Sequence, residues 1–204
     1  PYNETGLPFS CDTRHAVPTA YRAEWEYLRE NTDLWKEWDP GDPKEKERLQ
    51  NETPEGQVLV ACKGAAQCQR GFRSITCRAF PFFPYLKSSG EFLGLSYYWE
   101  YEERCWVISN LDVVTPEYRG EFIAAYDEIF KSHPEEFDSF RAHSAYMRRI
   151  FLQRRRTIPL LHRDGKTYKI SPGSEKMRTV RAQELPKYGP YRIAADLPFP
   201  DEIA

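Results

Sequence analysis

Three cysteines, Cys62, Cys68 and Cys77, fall within sixteen positions on a segment punctuated by Gly64, Gly71, Pro81 and Pro84. Thiolate sulfur is a strong ligand for zinc and for the iron of iron–sulfur clusters, and both centres commonly take four such ligands. Thiols this close together on a glycine- and proline-rich stretch point to ligands carried on loops. The separations are five residues between Cys62 and Cys68, eight between Cys68 and Cys77, and twenty-seven between Cys77 and Cys105, and they contain no Cys-x-x-Cys knuckle. Spacing alone therefore leaves metal ligation and half-buried, unliganded thiols equally open.

The stretch also reads as C-x5-C-x4-R-S-x-x-C-R-x-F-P-F, through Cys62, Cys68, Arg73, Ser74, Cys77, Arg78, Phe80, Pro81 and Phe82. This resembles the signature of the bacterial YkgJ-type cysteine-cluster family, which is described as zinc- or iron-chelating and has flagellin lysine methylase relatives. The likeness covers about 25 residues well and extends loosely to Cys105. Ser74 stands where the family usually has proline, and Gln69-Arg70 replaces an aliphatic–aromatic pair. The family's N-terminal cysteine cluster is reduced here to Phe9-x-Cys11, followed by Arg14 and His15. The resemblance implies a zinc ion or iron–sulfur cluster held by Cys62, Cys68 and Cys77, with Cys105 or Cys11 as the fourth ligand, or both. His15 is a weaker nitrogen candidate. Arg78 follows the third thiol directly, where its N–H donors would offset the charge of a thiolate site; a salt bridge elsewhere accounts for it equally well.

Other groups carry less. Arg148, Arg149, Arg154, Arg155 and Arg156 concentrate positive charge where a helix C-terminus is expected, which complements the helix dipole without any ligand. Tyr97, Tyr98, Trp99, Tyr101 and Trp106 suit an aromatic core at least as well as a pocket for a planar ligand. His143 and His162 read as structural. The pairs Glu102-Glu103 and Glu135-Glu136 are sequence neighbours and do not converge on one helix face. No G-x-S-x-G, P-loop, G-x-G-x-x-G or H-E-x-x-H motif occurs.

The elements that must position the thiols follow from periodicity. Tyr21, Trp25 and Leu28 predict a helix over 19–31, and the charged run 44–50 a second. Gln57 to Ala61, QVLVA, predicts a buried strand leading into Cys62. A turn at 87–90 precedes a strand over 92–99, which is expected to pair with Cys105–Ile108 and so place Cys105 on a strand end. Thr115-Pro116-Glu117 opens a helix with the stripe Tyr118, Phe122, Tyr126, Ile129 and Phe130. Ser132-x-x-Glu135 reads as a capping box for a further helix marked by Phe137, Phe140, Ser144, Met147, Ile150 and Phe151. Residues 158–170 predict a hairpin turning at Asp164-Gly165, with Pro159 favouring an edge position. Residues 1–10 read as an extended arm, and the tail from Pro172 as a surface wrap.

Helix, strands around cysteines, two longer helices, hairpin and tail together predict an α+β fold. A single domain over 1–204 is expected, with a metal-binding part at about 9–110 and a helical and hairpin part at about 115–204. The 204 residues carry 29 Lys and Arg against 31 Asp and Glu, so charge favours neither nucleic acid nor anionic membrane as a partner and leaves a protein partner open. No apolar run reaches the ~20 residues of a membrane span, and the opening PYNETGLPFS lacks the features of a signal peptide. Five cysteines without a framework of regular spacing suit a reducing cytoplasm. Three readings follow: a protein whose metal staples its loops, a metal-dependent redox or group-transfer enzyme of methylase-like kind, or a metal-free thiol redox sensor.

Overall fold

The computed structural model describes residues 17–64, 67–103 and 105–188, and the fold is α+β. Two compact units divide the chain between Ala79 and Phe80. The extended arm expected at 1–10, Cys11 and His15 lie outside the described residues.

In the first unit, β1 (Thr19–Tyr21), β3 (Gln57–Cys62) and β2 (Trp35–Glu37) form an antiparallel sheet in that order, with β3 in the middle. Helix α1 (Arg22–Asn31) begins directly after β1, so the first residues of the expected helix are strand. Trp25 and Leu28 on α1 pack with Ala20, Leu34, Trp35 and Val60 into one apolar cluster. Helix α2 (Pro43–Glu52) takes Pro43 in its first turn, and the Asp42 carboxylate accepts from Lys44 N at 2.9 Å as its cap. No residue of α2 is buried. A short helix, α3 (Ile75–Ala79), closes the unit.

The second unit is built on five antiparallel strands in chain order: β4 (Phe82–Leu86), β5 (Phe92–Tyr97), β6 (Ile158–His162), β7 (Thr167–Ile170) and β8 (Met177–Val180). Between β5 and β6 come α4 (Trp106–Ser109), α5 (Pro116–Ser132) and α6 (Pro134–Gln153). Phe83, Tyr85 and Leu93 from the sheet meet Met147 and Phe151 from α6, and Ile158, Leu160 and Ile170 complete the cluster. The proline-punctuated FPFFP run therefore passes into a core strand at Phe82.

Several expectations are corrected in this unit. Residues 106–109 form the one-turn helix α4 and do not pair with β5, whose two sides are taken by β4 and β6. Asn110 Nδ2 donates to Trp106 O at 2.8 Å and closes that turn. The capping box at Ser132 is not formed. Pro134 forces His133 out of helical conformation, to φ −135° and ψ 78°, so Ser132 stays the last residue of α5 and its hydroxyl donates to Glu128 O at 3.1 Å. Pro159 sits in an interior strand. The β5–β6 ladder pairs Gly94 with His162 and Leu95 with Leu161, stopping short of Pro159, and Ser96 Oγ donates to the Pro159 carbonyl at 2.9 Å. The tail does not only wrap the surface, since Met177–Val180 adds the edge strand β8. As expected, Thr115 caps α5, its hydroxyl accepting from Tyr118 N at 3.2 Å. Among the described residues, no helix is long and apolar enough to cross a membrane.

Candidate metal centre

Cys62 ends β3, Cys68 follows on the loop after it, and Cys77 lies on α3; all three belong to the first unit and are half-buried. Strand β3 is fixed by its two neighbours, and Trp35 on β2 stands opposite Cys62. The side chains of Cys62 and Cys77 pack against the same apolar cluster as Phe72. That cluster brings together two thiols fifteen positions apart in sequence.

The loop carrying Cys68 is fastened by polar bonds. Trp35 Nε1 donates to Phe72 O at 2.6 Å, Gln69 Nε2 to Asp33 Oδ1 at 3.1 Å, and Thr32 Oγ1 to Gln69 Oε1 at 2.7 Å. Lys63 pairs with Asp33, whose carboxyl is held below the usual range by the hydrogen bonds from Lys63 and Gln69. Arg78 donates through Nε to Arg73 O at 2.9 Å and through a terminal nitrogen to Gly71 O at 2.7 Å. It thus clasps the loop backbone. Arg73 in turn donates through Nε to Cys68 Sγ at 3.1 Å.

Helix α3 is anchored at its N-terminus. Ser74, fully buried, accepts from Cys77 N at 3.2 Å and so caps the helix. Glu24 Oε1, from α1, accepts from Ile75 N at 2.7 Å, and the Thr76 hydroxyl donates to Thr19 O. Burial pushes the Glu24 carboxyl up, against the pull of its backbone hydrogen bonds and the Arg78 charge.

The thiols act on one another. Burial pushes the Cys77 thiol up to about 11; Arg73 and Arg78 oppose the rise, and negative charge on Cys68 and Cys62 adds to it. Yet among the described residues no group of three or more His, Cys, Asp or Glu side chains is drawn together closely enough to hold a metal ion. The donor chemistry suits zinc or iron, and the three thiols share one unit with an arginine bonded to one sulfur, but the ligand set is not assembled among these residues.

Cys105 belongs to the second unit, where it is 7 % exposed. It stands at the N-cap of α4, its backbone N–H donating to Tyr101 O at 2.8 Å, and not on a strand end. Several arginines at and just beyond the end of α6 have partners within the unit. Arg148 pairs with Glu175 at 3.2 Å and donates to Leu86 O at 2.8 Å, and Arg154 lies over the Trp99 ring at 4.0 Å. Arg156 binds both oxygens of buried Glu102, at 2.8 and 2.6 Å, where the Tyr97 hydroxyl also donates at 3.1 Å. His143 packs edge-on against Phe83 at 4.4 Å.

Sequence reasoning did not single out Glu24, Thr32, Asp33 or Trp35, which anchor the cysteine segment. Ser74, a residue type that commonly starts helices, carried a local signal, whereas these four did not. No protein-family model, curated protein or solved structure matches the chain.

Proposed function

We propose that the first unit binds one metal centre, a zinc ion or an iron–sulfur cluster, through Cys62, Cys68 and Cys77, and that the metal staples the loop between β3 and α3. The observation that carries this reading is the common packing of Cys62 and Cys77 on one apolar cluster, with Cys68 on the loop between them bonded to Arg73. The YkgJ-type signature over 62–82 points the same way. The fourth ligand on this reading is Cys105 or Cys11, or both. Arg78 supports the centre by clasping the loop carbonyls and by lowering the cost of negative charge at Cys77. A thiolate centre of this kind suits a reducing cytoplasm.

The test is metal content per chain in single Cys→Ser variants purified without oxygen. Loss of metal in the Cys62, Cys68 and Cys77 variants, and in at least one of Cys11→Ser and Cys105→Ser, is the expected pattern. Full metal in Cys77→Ser overturns the assignment, and whichever of Cys11→Ser and Cys105→Ser loses metal identifies the fourth ligand.

A second reading is favoured by the Arg73–Cys68 contact: a metal-free redox sensor in which two thiols yield two protons and two electrons to a peroxide, forming one S–S bond as the O–O bond breaks and releasing two waters from hydrogen peroxide, or one water and one alcohol from an organic hydroperoxide. It predicts no metal in the native protein and a reversible loss of two thiols on peroxide treatment.

A further inference from the structure

A cavity of about 420 Å³ lies against helix α2 in the first unit, reaching Gln57, Val58 and Leu59 at the start of β3. Cys62 is at the other end of that strand. The size falls within the range of small-molecule sites. Its apolar lining includes Trp38 from the segment after β2, Leu49 from α2, and Val58 and Leu59 from β3, all half-buried. Residues 57–59 of β3 are laddered to β1 and the β2 ladder begins only at Val60, which leaves the start of the strand incompletely covered.

Helix α2 contributes a wall without contributing to the core. It buries none of its residues, and the charged side chains that support it act along its own surface, Arg48 bridging Glu45 at 2.5 Å and Glu52 at 3.1 Å. Gly56, at φ +85°, turns the chain under the helix and into β3, a backbone conformation that suits glycine. Its carbonyl accepts from Arg22 N at 2.8 Å, which ties the start of α1 to the same rim.

The charged lining is of both signs. Arg22, Glu37 and Glu55 line the cavity, are exposed, and enter no side-chain hydrogen bond or ion pair among the described residues. Lys46 also lines it but is held by Asp39 at 3.5 Å. A simple anion would meet Arg22 together with two repelling carboxylates. A simple cation would leave Arg22 without a partner. A molecule carrying both charges beside an apolar body satisfies all three groups and covers the exposed apolar floor.

We infer that this cavity binds a zwitterion with an apolar or aromatic body, the chemistry of an α-amino acid or of the charged end of a short peptide. The carboxylate pairs with Arg22, the ammonium with Glu37 and Glu55, and the body rests on Trp38, Leu49 and the start of β3.

The experiment titrates the ¹⁵N-labelled full chain with L-phenylalanine and follows the indole N–H of Trp38. A saturable shift is expected, with affinity about tenfold or more weaker for L-phenylalaninamide, which lacks the carboxylate, and for N-acetyl-L-phenylalanine, which lacks the ammonium. Arg22→Gln is expected to weaken L-phenylalanine about tenfold while leaving the amide unchanged; Glu37→Gln with Glu55→Gln is expected to weaken it while leaving the N-acetyl compound unchanged. These side chains are exposed, so the variants keep the fold, and the remainder of the spectrum checks it. Phe-Gly and Gly-Phe distinguish a free amino acid from a peptide end. No saturable shift at millimolar ligand, or equal binding of all three phenylalanine compounds, overturns the inference.

Discussion

The two units are held together by different means. In the second, Phe83, Tyr85, Met147, Phe151 and Ile158 are fully buried in one cluster, and the buried carboxylate of Glu102 is paired with Arg156. In the first, the apolar cluster is gathered around Trp25, Leu28, Trp35 and Val60, and the segment 63–74 beyond it is held mainly by side-chain hydrogen bonds to the loop 32–35 and to the arginines. A region with few buried apolar contacts and many exposed hydrogen bonds opens at low free energy. Cys68 lies in that segment, Cys62 and Cys77 border it, and ligation there would add most.

The sharpest way to break the comparison acts on the second unit alone. Gly94 has φ +144°, and a Cβ there would stand 2.3 Å from the Leu161 carbonyl oxygen on the paired strand. Gly94→Ala is expected to cost more than about 4 kcal/mol and abolish folding of the five-stranded sheet, read as loss of its amide protection, while the protection of β1 to β3 persists. Next in size is chelation. Stripping the metal is expected to lower the stability of the first unit by about 4 kcal/mol when the metal had been a thousandfold above its dissociation constant, with hydrogen exchange rising over 63–79 and unchanged in α5 and α6.

A pH effect separates the units further. Burial holds the His143 imidazole down at about 4 from its ordinary 6.5, and its Nε2 is buried with no hydrogen-bond partner among the described residues. The folded state therefore favours the neutral ring. The stability this confers is fully present above about 6.5 and is lost as pH falls toward about 4, by on the order of 3 kcal/mol. Denaturant melts of the second unit should show that slope, and His143→Leu should remove it. The smallest effect is Asp42→Ala, which removes the cap of α2 and is expected to cost about 1 kcal/mol, seen as faster exchange confined to α2.

What could be read from the chain beforehand was local. Strand β3 and helix α5 were legible because QVLVA and the Thr115-Pro116 start each carry their signal within a few residues. Strand β4 was not, because Pro81 and Pro84 mask a run whose strand character comes from pairing with β5 and burial against α6. Pro159 misled because the place of a strand in a sheet is set by partners far along the chain. The thiols were legible by residue type, whereas Glu24, which meets Ile75 fifty-one positions away, leaves no trace in spacing. The four-residue α4 is too short to show a period.

The central claim is a metal centre in the first unit, and the most direct test is elemental analysis with a visible spectrum on the full chain, purified without oxygen and without added metal. The account predicts stoichiometric metal, either colourless zinc near one per chain or iron with labile sulfide and a brown absorption. A folded protein with neither, its thiols all titratable, would contradict it.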